Sequence, residues 1–504
     1  MSKSVERKGI SGEERSHLKR TIGKRQLTMI AIGGAIGTGL FLASGQGIHN
    51  AGPGGALLAY AVMGMVVYFM MTSLGEMSTQ MPLAGGFQAF ASRFIDPALG
   101  ATFGWNYWFS WSITLAAELV AATIIMRFWF PDTPGTIWAI LFFIVLMALN
   151  LLSAKAYAEA EYWFAGIKVV AVLVFLVVGV LLITGVIGNH AIGFQNWTLT
   201  DGKGNSAPFV GGFGAILGVF LIAGFSFQGT EGVGIAAAES DNPDKSIPKA
   251  IRTVFWRILI FYIGAIFIIG TLIPFTDPSL LGGSEDNVAM APFTIVFSEA
   301  GFKAAASVVN VVILTSVLSC GNSSLYFSSR MLYAMALRNQ APKFLSKVSK
   351  RGVPYLAVCA TGLIGALAFL TSIIGQGKVY YIFYNASAQT GFIIWLGIAM
   401  AHYRFRKAWH AQGHTLDELK FRAKFYPIAP IMAIVLSLVV IFGANYFVFQ
   451  DFNWGDLLIY YGFFPAFVII YLGFKFYNKT KIVPLKECDF SMPPEGTGDN
   501  QSIM

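Results

Sequence analysis

The sequence predicts an all-α integral membrane protein of about twelve helices, and three observations carry that prediction. Hydrophobic residues make up 55% of the 504-residue chain and charged residues only 12%, about half the charged share of an ordinary soluble domain. Mean hydropathy is +0.63. Apolar stretches of about 20 residues recur from end to end, each long enough to cross a hydrocarbon core of roughly 30 Å. Lys and Arg, finally, are confined to the tails and to alternate loops, the pattern by which a membrane protein sets its orientation. A soluble fold is excluded.

The elements follow in order. Residues 1–26 carry eight Lys/Arg and no apolar core, so they form a basic tail rather than a cleavable signal. Spans fall near 27–48, 54–80, 98–126, 136–153, 163–187, 211–238, 251–274, 302–337, 355–374, 380–401, 427–449 and 457–477. With the amino terminus inside, the inner segments hold Arg93, Lys155, and the basic clusters at 245–252, 338–351, 404–424 and 475–486. Together with the tail they account for 28 of the 35 Lys/Arg. The outer loops offer little beyond Lys203 and Lys378, and the 275–299 loop is acidic. Both termini are therefore expected in the cytoplasm. The net charge of +9 thus reads as topology and not as a nucleic-acid surface. Cys320, Cys359 and Cys488 lie far apart and suggest neither a metal site nor a disulfide framework.

Two spans share an oddity. The first contains Ile32-Gly33-Gly34-Ala35-Ile36-Gly37-Thr38-Gly39-Leu40-Phe41, and the sixth Gly224-Phe225-Ser226-Phe227-Gln228-Gly229-Thr230-Glu231-Gly232-Val233-Gly234. Glycine this dense weakens a helix by up to about 1 kcal/mol per residue. Non-helical backbone at membrane depth survives only inside protein or beside a water-filled cavity. Close helix packing through small residues is the plainer explanation for one such span. Two of them, each opening a set of five, instead point to inverted repeats whose interrupted helices face each other at the midplane, around a transport site. Residues 27–187 would form the first repeat, 211–401 the second, 427–477 two further helices, and 478–504 a cytoplasmic tail. Free N–H groups around Gly37, Thr38 and Gly39 suit a carboxylate, and freed carbonyls near Ala31, Ile32, Gly33 and Phe225 suit an ammonium.

The stretches LTMIAIGGAIGTGLF (27–41), GWNYW (104–108), GFSFQGTE (224–231), AAAESDNPDKSIPKAI (236–251), PFTDPSLL (274–281) and SSRMLYAM (328–335) resemble the amino acid–polyamine–organocation superfamily. The resemblance covers roughly residues 22–480. It implies the five-plus-five inverted-repeat fold of sodium-coupled neurotransmitter transporters, with two extra helices at the end and a substrate held by the broken first and sixth spans. It also implies an amino-acid cargo, lysine by its nearest likeness, a bacterial inner membrane, and protons as the coupling ion. No cofactor or metal is implied.

Ionisable residues inside spans are costly and are functional hypotheses by default. Glu231 sits in the broken sixth span, where it could bind a cargo ammonium, carry a proton, or hold the break together. Lys168 lies early in the fifth span. A snorkelling lysine at the membrane edge is one explanation; the resemblance offers another, an ammonium standing where a coupling sodium would be. Tyr107, Trp111, Leu115 and Glu118 follow one face of the third span. The resemblance puts that face beside the site, where Trp111 could cover a cationic side chain and Glu118 could serve substrate or proton. Glu76, Glu239 and Arg330 read as inner-gate ion pairs.

Other motifs fail. His410 and His414 share helical spacing but lie in a charged loop with no acidic partner arrangement, and read as solvated. The glycines at 33–39 follow no strand, Ser226 misses the nucleophile-elbow spacing, and no HExxH or P-loop is present. An enzyme is not expected. A proton-driven symporter, an exchanger and a membrane-bound lysine sensor remain. The short tails disfavour the sensor.

Overall fold

The computed structural model describes residues 25–26, 28–29, 36–187, 191–237, 240, 242–281, 291–299, 303–370, 375–450 and 452–491. Among them the chain is helical. Isolated bridges join Ser206 to Thr200 and to Phe209. Seven helices are long and apolar enough to cross a membrane, and an eighth crossing is the pair Trp454–Tyr461 and Phe463–Tyr477, bent by 54°. The described end of the first span, the shorter helices Tyr355–Leu370 and Ile428–Gly443, and the 36-residue Gln376–Ala411 complete the predicted set. The protein is an all-α membrane protein of about twelve helices.

Local chemistry marks the helix ends. The continuous run Ala43–Gln80 is two spans, separated where Gly52 turns to φ 74° just before Pro53. The Pro208 carbonyl closes that corner by accepting from the Gly54 and Gly55 N–H groups at 2.9 and 3.2 Å. Asp96 caps the third span, Pro97–Met126, by accepting from the Ala98 N–H, with Pro97 in the first turn. Ser153 caps the fifth, Ala154–Ile183, in the same way. That helix begins well before the expected 163, so Lys168 lies several turns inside it and not at an edge. The seventh span also starts early. It runs as Pro243–Arg257, a π-helical turn Ile258–Ile263, and Gly264–Leu272.

The third span is the axis of the molecule. Its apolar window is 89% buried, against 17% for the fourth span and 28% for the fifth. It packs chiefly on the eighth span, Lys303–Leu337, and on the tenth, while the second packs on the sixth. The outer helices show Ile137, Ile144, Val170 and Val177 at their surfaces, as lipid-facing helices must.

Beyond the twelfth span the chain folds back on the basic end of the bundle. Arg404 donates to the Phe94 and Val483 carbonyls, Arg93 donates to the Ser491 carbonyl at 2.7 Å, and Phe490 packs on Phe94 and Trp409. Burial would raise the Asp96 carboxyl, but hydrogen bonds from Lys475, Thr480 and the Ala98 N–H hold it below the usual range. One expectation is corrected here. His414 does have an acidic partner: it stacks on Trp409, and its Nδ1 lies 2.8 Å from Glu418. Bonds from the Thr415 backbone, then from His414 and the Thr415 hydroxyl, pull the Glu418 carboxyl down to about 2.

Candidate functional site

The sixth span breaks where the glycines predicted. Gly212–Phe227 ends, four residues turn, and Gly232–Ala236 resumes. Gly229 takes φ +92°, a left-handed conformation that disfavours any side chain. The turn is tied down from within. The Gln228 side chain donates to the Ala388 carbonyl at 2.9 Å, and the Thr230 hydroxyl to the Phe227 carbonyl at 2.5 Å. Glu231, 2% exposed, accepts from the Gly229 N–H at 3.2 Å on both oxygens and from the Trp395 indole at 3.3 Å. The Trp111 indole faces the same carboxylate. The Phe225 carbonyl accepts from the Gln228 N–H at 3.1 Å, so it is engaged in ending the half-helix and is only partly available to a ligand.

The first span crosses this break closely. A Cβ at Gly39 would lie 2.6 Å from the Ser226 Cα, so only glycine allows the two helices to touch there. Tyr60 joins the contact through a 3.0 Å hydrogen bond to Ser226. The described helix starts at Thr38, with Gly37 as its cap. Thr38 donates to Glu118 Oε1 from its hydroxyl at 3.0 Å and its N–H at 3.5 Å. One of the three amides expected to receive a substrate carboxylate thus already meets a carboxylate of the third span. Gly37 abuts that carboxylate and Cys320. Ala31, Ile32 and Gly33 lie outside the described residues.

On the third span, the Tyr107 and Trp111 rings lie 6.0 Å apart, tilted by 58°, and Phe327 meets Trp111 edge-on at 5.3 Å. The Tyr107 hydroxyl is buried with no partner among the described residues. Leu115 packs toward Gly321 and Gly365 of the neighbouring helices, and the Glu118 Cβ approaches the same Gly321. Lys168 is fully buried. Its ammonium lies 4.0 Å from Glu161, whose two oxygens accept from the Ser319 hydroxyl at 2.7 and 2.8 Å. It also interacts electrostatically with Glu118 and Cys320. A snorkelling lysine is ruled out by that burial.

The match to known proteins agrees with this architecture. The profile of the family described as Amino acid permease covers residues 26–487. The chain belongs to the amino acid permease family. It is 50% identical over 476 residues to the lysine-specific permease LysP of Escherichia coli K12, covering 94% of this chain and 96% of that protein. To the lysine-specific permease LysP of Lactococcus lactis it is 48% identical, over 94% and 93%. To the histidine permease HisP of the same organism it is 46% identical, over 95% and 99%.

The candidate site also draws on the tenth span, which the sequence did not single out. Tyr384 meets Phe225 edge-on at 4.5 Å, Tyr380 lies beside Tyr384 and Thr38, and Trp395 reaches Glu231. Arg257, equally unforeseen, donates to the Thr230 hydroxyl. Toward the basic end, Glu76 has a different partner from the one expected. Arg406 of the tenth span donates to both its oxygens, the Ala423 N–H adds a 2.6 Å bond, and His402 Nε2 lies 3.2 Å away. Arg330 sits over the Tyr326 ring at 4.2 Å. Glu239 lies outside the described residues. Among the described residues no group of three or more His, Cys, Asp or Glu could hold a metal.

Proposed function

We propose that this permease imports L-lysine by proton symport across a bacterial inner membrane, with both termini in the cytoplasm. The observation that carries the proposal is Glu231, a buried carboxylate held in the break of the sixth span beside Trp111. The first and sixth spans meet there, as two inverted repeats over 27–187 and 211–401 require. In this reading the amides around Gly37, Thr38 and Gly39 and the carbonyls near Ala31, Ile32 and Phe225 hold the zwitterion. Tyr107 and Trp111 cover the cargo's stem, and Glu231 answers its positive end. Two lysine-named relatives at about half identity favour lysine. A histidine-named relative nearly as similar makes histidine the competitor to test.

Coupling to protons rests on the buried group Lys168, Glu161 and Glu118. Two carboxylates and one ammonium, away from water, favour taking up one further proton, because an uncompensated buried charge is expensive. Within this group the further proton goes to a carboxylate, Glu118 or Glu161; Lys168, by releasing its own proton, and Glu231 are the other candidates for the coupled proton. Glu76 with Arg406 forms the cytoplasmic gate.

The test uses the full chain in liposomes. Lysine's own charge is driven by about 2.3 kcal/mol per 100 mV, so the potential is clamped and only a pH gradient is imposed. Lysine accumulation that follows the pH gradient, is indifferent to exchanging Na⁺ for K⁺, and resists excess histidine supports the proposal. Accumulation that follows only a sodium gradient, or appears only against internal amino acid, replaces symport by sodium coupling or exchange.

A further inference from the structure

Arg257 is a buried cation beside the cargo site that the mechanism so far leaves idle. It is 2% exposed and ends the regular part of the seventh span; the π-helical turn Ile258–Ile263 begins at the next residue. Such turns occur often at functional sites because they re-aim the side chains around them. Its guanidinium donates to the Thr230 hydroxyl and stands 5.7 Å from the Tyr262 ring. Tyr262 in turn packs on Phe227 at 4.4 Å, the last residue of the outer half-helix.

These contacts form one chain of support. Thr230 receives from Arg257 and donates to the Phe227 carbonyl at 2.5 Å. Glu231 follows Thr230 directly, and Arg257 and Glu231 interact electrostatically. Arginine stays charged wherever it is buried, so holding one at this depth is costly unless specific partners orient it. Its hydrogen bond enters the four-residue stretch in which the regular α-helix of the sixth span gives way to short turn bonds, such as Thr230 N–H to Phe227 at 3.4 Å and Gly232 N–H to Gly229 at 3.1 Å. A side chain with a rigid fork of donors suits that task better than a flexible ammonium.

We infer that Arg257 is a positioning residue for substrate binding: through Thr230 it fixes the turn Gln228–Glu231, and with it the direction in which Glu231 meets the cargo. The inference rests on the assignment of Glu231 to the cargo site. A purely structural role, tying the seventh span to the sixth, would lower stability without selectively weakening lysine.

The experiment measures the equilibrium Kd for lysine on purified full-length protein, with a melting curve for each variant. The variants are Arg257→Lys, Arg257→Gln, Thr230→Val, Glu231→Gln and the double variant Arg257→Gln/Glu231→Gln. Arg257→Gln and Thr230→Val are each expected to raise Kd about tenfold, the size of one lost charge-assisted hydrogen bond. Arg257→Lys, which keeps the charge but not the rigid fork, should recover only part of that loss. The double variant should bind no more weakly than Glu231→Gln alone, because both changes disable the same contact. Losses that multiply in the double variant, or a wild-type Kd in Arg257→Gln and Thr230→Val while Glu231→Gln is impaired, overturn the inference and leave the Glu231 assignment standing. A wild-type Kd in Glu231→Gln removes Glu231 from the site and takes this inference with it. Should Arg257→Gln fail to fold, Thr230→Val decides: an unchanged Kd there overturns the inference.

Discussion

Replacing Glu76 by Gln is the sharpest probe of the proposed gate. The carboxylate is fully buried and accepts from Arg406 on both oxygens and from the Ala423 N–H. Glutamine keeps the volume, but its amide nitrogen cannot accept from either donor. Arg406, itself 2% exposed, would remain charged and lose its counter-ion. Breaking a buried pair from one side costs about 3–5 kcal/mol. If the latch opens during transport, only the closed state bears that cost, and the closed-to-open ratio falls by at least about 100-fold. Hydrogen exchange reads the effect directly: protection of 402–411 and 419–426 should collapse, and the melting temperature in detergent should drop by at least about 5 °C. The double variant Glu76→Gln/Arg406→Met should regain much of the stability, since it removes the stranded charge as well. Unchanged exchange and a melting temperature within about 1 °C of the parent would refute the latch. That outcome would mean the Ala423 carbonyl, 3.2 Å from Arg406 Nη2, satisfies the guanidinium without Glu76.

Three further outcomes are expected. Trp111→Ala should weaken lysine binding by about 1–2 kcal/mol, the scale of a desolvated cation–π contact, with Trp111→Phe recovering part; calorimetry showing equal affinity in both would make this aromatic face packing alone. Lys168→Met should abolish accumulation driven by a pH gradient while leaving lysine counterflow measurable, and retained gradient-driven uptake would demote Lys168 to structure. Asp96→Ala should cost about 1 kcal/mol through the lost helix cap, measured by denaturant melts. Because the Asp96 carboxyl is held below its usual range, its contribution is fully present above the unfolded value of about 4 and fades as pH falls through the folded value. The gap to the parent should therefore close below about pH 4, and a gap that persists there would point to packing.

What the sequence determined by itself was the set of membrane crossings and the place where the sixth of them breaks. Both follow from local properties: apolar length against bilayer thickness, and glycine density against helix propensity. Gly229 is legible for that reason. Glu231, Trp111 and Lys168 are legible too, because an ionisable or large aromatic residue inside an apolar run stands out. Partnership was not legible. Glu161 precedes the expected start of the fifth span, and Arg406 follows the expected end of the tenth. Hydropathy ends a helix where charges begin, yet here the helices run on because Glu161 meets Lys168 and Ser319, and Arg406 meets Glu76. Arg257 lies inside the expected seventh span, but its partner, Thr230 of the sixth, could not be read from the sequence. Trp395, Tyr380 and Tyr384 look like ordinary core aromatics in sequence. Only the packing of the tenth span against the sixth and first brings them to Phe225, Glu231 and Thr38 in the candidate site. Pairing of buried charges is a long-range property of the folded bundle, set by which helices touch, and the tertiary structure alone decided it.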